Sequence, residues 1–449
     1  MSADKRARLK QWLASGEARL QPLSFPQREL WEASPVAVGD MANHICAFIE
    51  VRGLLTEKDS HAAIQAVVNR QEALRLSIIP GKDQPLQMVR STFEANLSFR
   101  DLAGAERTPE GIETIAKQIF AEPFDLLQGP LYRAVILRKA ADECVIVLAI
   151  HHAIADGWTL GVFVQDLFGA YMAQLMGATE PLPAVPLTYT GWGAAERGFW
   201  TPAILEPRLD FWRKELAGRP RLWSTPAQPG WTSGAAERWV TSISADLARA
   251  TRDLARRHSA TLYSTLLAAF QTAFSKWAGT NDVLVGSPIA NRSKDVVHET
   301  MGYFAGIVPV RGQVDGARPF SAMLRHLQET TAHAFAEAVP FAELARALGE
   351  QAAPGCNPIF EVRFALQNHP MHDITLPNLG AKLRMRSTGT ARYDIACEVT
   401  EQGDNFEVVW LVRHARFAMA DLHELDRLFQ SVLAAASRSP ESRTDALLP

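Results

Sequence analysis

Residues Cys144-Val145-Ile146-Val147-Leu148-Ala149-Ile150 run directly into His151-His152-Ala153-Ile154-Ala155-Asp156-Gly157-Trp158. The first seven form an unbroken apolar run rich in β-branched residues, which predicts a strand covered on both faces. Beyond the turn, Leu160, Phe163, Val164, Leu167, Phe168, Tyr171, Met172 and Leu175 recur every three or four positions. That spacing predicts a helix with one buried face. Two imidazoles therefore leave the end of a core strand, and Asp156-Gly157 turns the chain into the helix. Neighbouring strand residues point to opposite faces. One ring can look into a cleft while the other packs against the scaffold.

Working outward, 449 residues exceed what one hydrophobic core ordinarily organises, so two subdomains are expected. A hydrophobic content of 47% with 21% charged residues describes a soluble globular chain. The formal net charge is -3 and no long Lys/Arg run occurs, which argues against a nucleic-acid partner. No apolar core follows the basic residues of Met1 to Lys10, so no secretory signal is read there. No stretch of eighteen apolar residues predicts a membrane span. Cys46, Cys144, Cys356 and Cys397 lack CxxC spacing. They read as free thiols of a cytoplasmic protein, with no metal or redox site.

Residues 9–20 predict a short polar helix. Strands are expected at 45–51, 84–100 and 132–150, and helices at 62–68 and 108–121. This alternation, with the histidine turn at a strand end, suits an α/β layered domain. Pro181, Pro183 and Pro186 exclude a helix interior or a central strand. The chain thus divides into a first subdomain (1–180), a linker (181–200) and a second subdomain (201–449). The second opens with a strand at 238–243. Helices follow, marked by Leu247, Ala250, Leu254 and Ala255, then by Leu262, Leu266, Leu267, Phe270, Phe274 and Trp277, with Gly279 as C-cap. A strand from Asp282 leads into the loop 288–300, and 421–437 closes the chain as a helix.

The pattern HHxxxDG at 151–157 resembles the core motif of the condensation domains of nonribosomal peptide synthetases, within the chloramphenicol acetyltransferase-like superfamily. Weaker motifs carry the resemblance along the chain. Ser24, Gln27, Leu30 and Trp31 fit the first motif, where Glu29 stands in place of the usual Arg. Arg70, Glu72, Leu74 and Arg75 fit the second, with Gln71 in place of His. Val283, Val285, Gly286, Pro288, Ala290, Asn291 and Arg292 follow the family closely. Gly302, Phe304 and Arg311 match the next motif, but Ala305-Gly306-Ile307 depart from it. Val339-Pro340-Phe341 lacks the leading His-Gln, Asn357-Pro358-Ile359 lacks its arginines, and Arg392-Tyr393-Asp394-Ile395 resembles a strand start. No adenylation, carrier or thioesterase motif accompanies them, as in a condensation domain that stands alone.

The resemblance implies two chloramphenicol-acetyltransferase-like subdomains in a V shape with a tunnel between them. The loop 288–300 with Ser287 would form part of the floor, and a segment around 368–392 would cross as a latch. It implies acyl transfer from a carrier-protein phosphopantetheine thioester to an amine or hydroxyl, with no cofactor bound by this chain. His152 is the candidate base, and His151 is structural or has a direct role. Asp156 either orients His152, as in hydrolase triads, or forms a buried ion pair with Arg292. Gly157 leaves room for the thioester or supplies a positive-φ turn, and Trp158 packs or lines the tunnel. Arg70 and Arg75 are read as structural ion pairs or carrier-arm contacts. The departures at 305–307 and before Val339 lie on the acceptor side. The expected acceptor is therefore a free small amine or alcohol, so that the step releases the chain. The partner would be an acyl- or peptidyl-carrier protein in trans, and the enzyme a monomer. A CoA-dependent acyltransferase and a degenerate carrier-binding scaffold remain the alternatives.

Overall fold

The computed structural model describes residues 3–178, 182–222, 235–351, 355–367, 373–376, 378–413 and 416–447. Two six-stranded sheets, each with its own hydrophobic core, make a mixed α/β layered architecture. The first sheet takes the strands Ile374–Leu376, Leu379–Arg386, His44–Arg52, Glu143–His151, Tyr132–Ala140 and Leu97–Asp101, in that spatial order. All its pairs are antiparallel except the last. Glu143–His151 lies between two neighbours, and every residue from Cys144 onward is buried, as its unbroken apolar run requires. Helices Glu57–Arg70 and Gly157–Leu175 pack together over this sheet.

The second sheet is ordered Gly306–Gln313, Asp282–Ile289, Val362–Gln367, Ile395–Gln402, Asn405–Arg413 and Ala236–Ile243. Val362–Gln367 runs parallel to both neighbours, and the other pairs are antiparallel. Helices Leu262–Ala278 and Met419–Arg438 cover it, with Phe270, Phe364, Trp410 and Phe429 meeting at ring-centroid distances of 4.9–6.5 Å. Gly279 ends the first of these helices at φ 66°, the left-handed cap glycine accepts without strain. No described helix is long and apolar enough to cross a membrane.

The halves are joined at several places. Strand Leu379–Arg386, reached through the second half, pairs with His44–Arg52 of the first sheet, Met385 opposite Ala47. Residues 368–372 and 377 of the segment read as a latch lie outside the described residues. Helices Phe25–Glu32 and Phe341–Ala347 pack together and share the ion pairs Arg28–Glu343 (3.0 Å) and Arg346–Glu32 (2.7 Å). Val297, Met301 and Phe304 insert into the core of the first half, and burying each such side chain is worth roughly 1.5–3 kcal/mol.

Three expectations need correction. The N-terminal helix spans Ala3–Ser15, and Ala18–Pro22 is a strand paired with Leu86–Arg90. Gly16 at φ 76° breaks the helix between them. The stretch expected to be linker holds the helix Tyr189–Phe199, capped by Thr188. Proline excludes helix only up to Leu187 there, and residues 179–181 lie outside the described residues. Among the described residues Arg75 makes no ion pair; it donates to the carbonyls of Val68, Asn69, Arg90 and Ser91 at 2.6–3.3 Å. Arg70 does pair, with Asp166 and Glu299.

Candidate active site

The strand ends at His151, a short 3-10 turn covers His152–Ile154, and Asp156 caps the helix that begins at Gly157. His151 is fully buried. Its Nε2 donates to the Val38 carbonyl at 2.8 Å and its Nδ1 accepts from the Ala153 amide at 3.0 Å. Those contacts fix one neutral tautomer, and burial lowers its pKa to about 4. With both nitrogens engaged, His151 has no lone pair to offer a substrate. It is a scaffold residue.

His152 is different. It keeps part of its surface open, and its ring lies 4.4 Å from that of Tyr303. Its Nδ1 is buried and, among the described residues, has no partner beyond its own backbone. Burial first, then the charge of Arg392, push its pKa down to about 3. The ring is neutral throughout the physiological range. A neutral imidazole has a lone pair to accept a proton, but at a pKa of about 3 the resting ring is a weak base.

Asp156 does not serve His152. Oδ1 accepts from the Thr159 amide (3.0 Å), the Thr159 hydroxyl (3.0 Å) and Arg292 Nη2 (3.2 Å). Oδ2 accepts from the Phe304 and Ala305 amides at 3.1 and 3.3 Å. Arg292, its side chain 1% exposed, also donates Nη1 to the carbonyls of Val297 (2.6 Å) and Thr300 (2.7 Å). Its guanidinium carbon sits 3.8 Å from the centroid of the Phe304 ring, within cation–π range. The carboxylate thus caps a helix and fastens the loop after Asn291, so the triad role gives way to a structural one.

Gly157 opens the helix without a positive φ, so the reading that required left-handed backbone is set aside. Trp158 donates from Nε1 to the His298 carbonyl at 2.9 Å and packs on the His298 ring. It clamps the same loop. Ser287 is the clearest misplacement: it is fully buried, with its hydroxyl shared between Tyr263 and the Phe364 carbonyl. No surface is left for a substrate.

Sequence reasoning misses several residues that shape the site. Gln27 donates to the Ala153 carbonyl at 2.9 Å and steadies the turn directly after His152. Thr159 completes the cap by accepting from the Asp156 amide at 3.3 Å, a reciprocal pattern readable from D-x-x-T. Leu30, Ala153 and Tyr303 form a small apolar cluster beside the turn. Glu29 is buried and pairs with Arg392 at 3.4 Å. Burial raises its carboxyl pKa against the pull of that arginine. No local pattern could have brought residues 29, 303 and 392 together.

The condensation-domain family model matches residues 17–448. A linear gramicidin synthase of Brevibacillus parabrevis is 29% identical over 95% of this chain, which spans only 9% of that protein. Among solved structures, SgcC5 from Streptomyces globisporus superposes with a TM-score of 0.79 at 22% identity, covering 94% of this chain and 100% of its own. The X-domain from teicoplanin biosynthesis gives 0.83 at 19% identity, covering 95% and 97%.

Proposed function

We propose a function from the premise that this chain belongs to the condensation-domain family, whose chemistry is acyl transfer to form amide or ester bonds. In our reading the acyl group arrives as a thioester on the phosphopantetheine arm of a carrier protein in trans. The acceptor is a free small molecule with an amine or hydroxyl, and transfer releases the chain. The observation that carries the reading is His152: a neutral ring, partly open to solvent, at the end of a rigid strand and with no carboxylate partner.

The chemistry follows from that atom. The acceptor nitrogen or oxygen attacks the thioester carbonyl, a C–N or C–O bond forms, and the C–S bond breaks. His152 Nε2 takes the proton shed by the nucleophile and returns it to the departing thiolate, so no net charge is left behind. A positioned base contributes on the order of 10²–10⁴-fold. Holding the two partners together is worth roughly 7–11 kcal/mol of barrier. The Gly157 amide, at the first turn of the helix, is the candidate donor to the developing oxyanion. The departure at Ala305 supports a free acceptor, since that residue lies beside Asp156 and Tyr303, while Ile307 packs in the core of the second half.

The test is intact-mass analysis of one acyl-loaded carrier, with the acyl-CoA in a parallel arm, against free amines, free alcohols and an aminoacyl carrier. The expected result is holo-carrier plus product with a free nucleophile, slowed at least about 100-fold by His152→Ala. Turnover confined to the carrier-loaded acceptor would overturn the free-acceptor reading. An undiminished rate in His152→Ala would overturn the base.

A further inference from the structure

Arg392 is the most consequential charge beside His152, outweighing even Asp156 in its effect on the ring. Its side chain is 12% exposed. Its backbone is fixed: Arg413 donates to the carbonyls of Ala391 (3.0 Å) and Arg392 (2.7 Å) and pairs with Asp394 at 3.1 Å. The guanidinium therefore projects from a rigid base, yet it is incompletely satisfied. It meets the Tyr303 hydroxyl, but its contact with Glu29 spans 3.4 Å, long for a charge-assisted hydrogen bond, where about 2.7–2.9 Å is usual. Its Nε is buried with no hydrogen-bond partner among the described residues, so the exposure that remains lies elsewhere on the side chain.

Resting on the free-acceptor reading above, we propose that Arg392 receives a carboxylate of the acceptor, which is therefore a free amino acid or hydroxy acid. A guanidinium presents its donors as a planar fork that matches a carboxylate. In an α-amino or α-hydroxy acid the nucleophile is two bonds from the carboxylate carbon. Anchoring that group on Arg392 leaves the nucleophile on the side of His152. A carrier-loaded acceptor has spent its carboxyl as a thioester and offers the fork nothing. The arriving anion also offsets the Arg392 charge, which after burial lowers the basicity of His152 most, so the base strengthens when the acceptor is in place. Glu29 already holds the same guanidinium at 3.4 Å, so an arriving carboxylate competes with it; burial raises the Glu29 carboxyl pKa while Arg392 lowers it.

The test compares an amino acid acceptor and a hydroxy acid acceptor with their carboxamides, using the full chain and one acyl-carrier donor. In the native protein kcat/KM for the carboxylate exceeds that for the amide by at least about tenfold, as for a site whose polar groups the wrong substrate leaves unpaired. Arg392→Met brings that ratio to about one, and Arg392→Lys restores only part of it. Glu29→Gln, which removes the competing charge, lowers KM for the carboxylate acceptor, a gain that loss of folding cannot mimic. Equal rates on acid and amide in the native protein, or an unchanged KM in Glu29→Gln, would overturn the inference. If simple amines or alcohols turn over without that preference, the inference falls alone; if no free nucleophile is accepted, both readings fall.

Discussion

Removing the Asp156 carboxylate is the most informative single change. In Asp156→Ala, Arg292 keeps its charge in a site where its side chain is 1% exposed. The amides of Thr159, Phe304 and Ala305 lose their acceptor. Breaking a buried pair from one side costs about 3–5 kcal/mol. Loss of the cap adds about 1 kcal/mol. These terms overlap because the same oxygens serve both, so the expected loss is about 5 kcal/mol, against a total stability of about 5–15 kcal/mol. Urea unfolding followed by circular dichroism at pH 7.5 reads it directly. Asp156→Ala should be poorly soluble or strongly destabilised. In the double variant with Arg292→Met the stranded cation is gone, and the loss should fall short of the sum of the two singles by about 1–3 kcal/mol. An Asp156→Ala protein that unfolds cooperatively within about 1 kcal/mol of the native chain, yet catalyses nothing, would refute the structural role and restore the triad reading.

Two further outcomes follow from buried titratable groups. His151 and His152 have folded pKa values of about 4 and about 3, below the ordinary value of about 6.5. The unfolded chain therefore binds more protons below pH 6.5, and stability is full above that value and falls as the pH drops. At pH 5 each histidine should cost about 2 kcal/mol, and the lowered pKa of His44 adds in the same direction. Equal unfolding midpoints at pH 7.5 and 5.0 would refute this. Burial also pushes the Cys46 and Cys144 thiols up to about 12 and raises Cys397 well above the ordinary thiol value, while Cys356 is only partly buried. Iodoacetamide at pH 8 should add once to the folded protein, at Cys356, and four times in urea; a second adduct on the folded chain would count against it.

What the sequence discloses depends on how local the cause is. The strand to His151 and the helix from Gly157 are legible because burial imposes a period on consecutive residues. The strand Ala18–Pro22 is not, since five residues with only Ala18, Leu20 and Pro22 apolar are too short a run to declare a period, and pairing with Leu86–Arg90 holds them extended. Ser287 shows the opposite failure. A hydroxyl at the end of a buried strand looks available for binding until Tyr263 is seen across from it. The contact between Asp156 and Arg292 spans 136 positions and is legible through resemblance, not through spacing.

The same distinction separates the proposed base from its tuning. His152 is placed by the first half of the chain, through the strand, the turn and Gln27. Its basicity answers first to burial, and then to Arg392, which the second half supplies along with the Tyr303 ring beside it and which pairs with Glu29. A chain can therefore keep the histidine turn unchanged and still alter which acceptor it serves, by exchanging charges hundreds of residues away. Glu29 stands where the family resemblance calls for an arginine, and it faces an arginine at 392. The departure from the pattern and the cation beside the base are then one feature, and it is this pair, more than the histidines, that sets the chain's choice of acceptor in our reading.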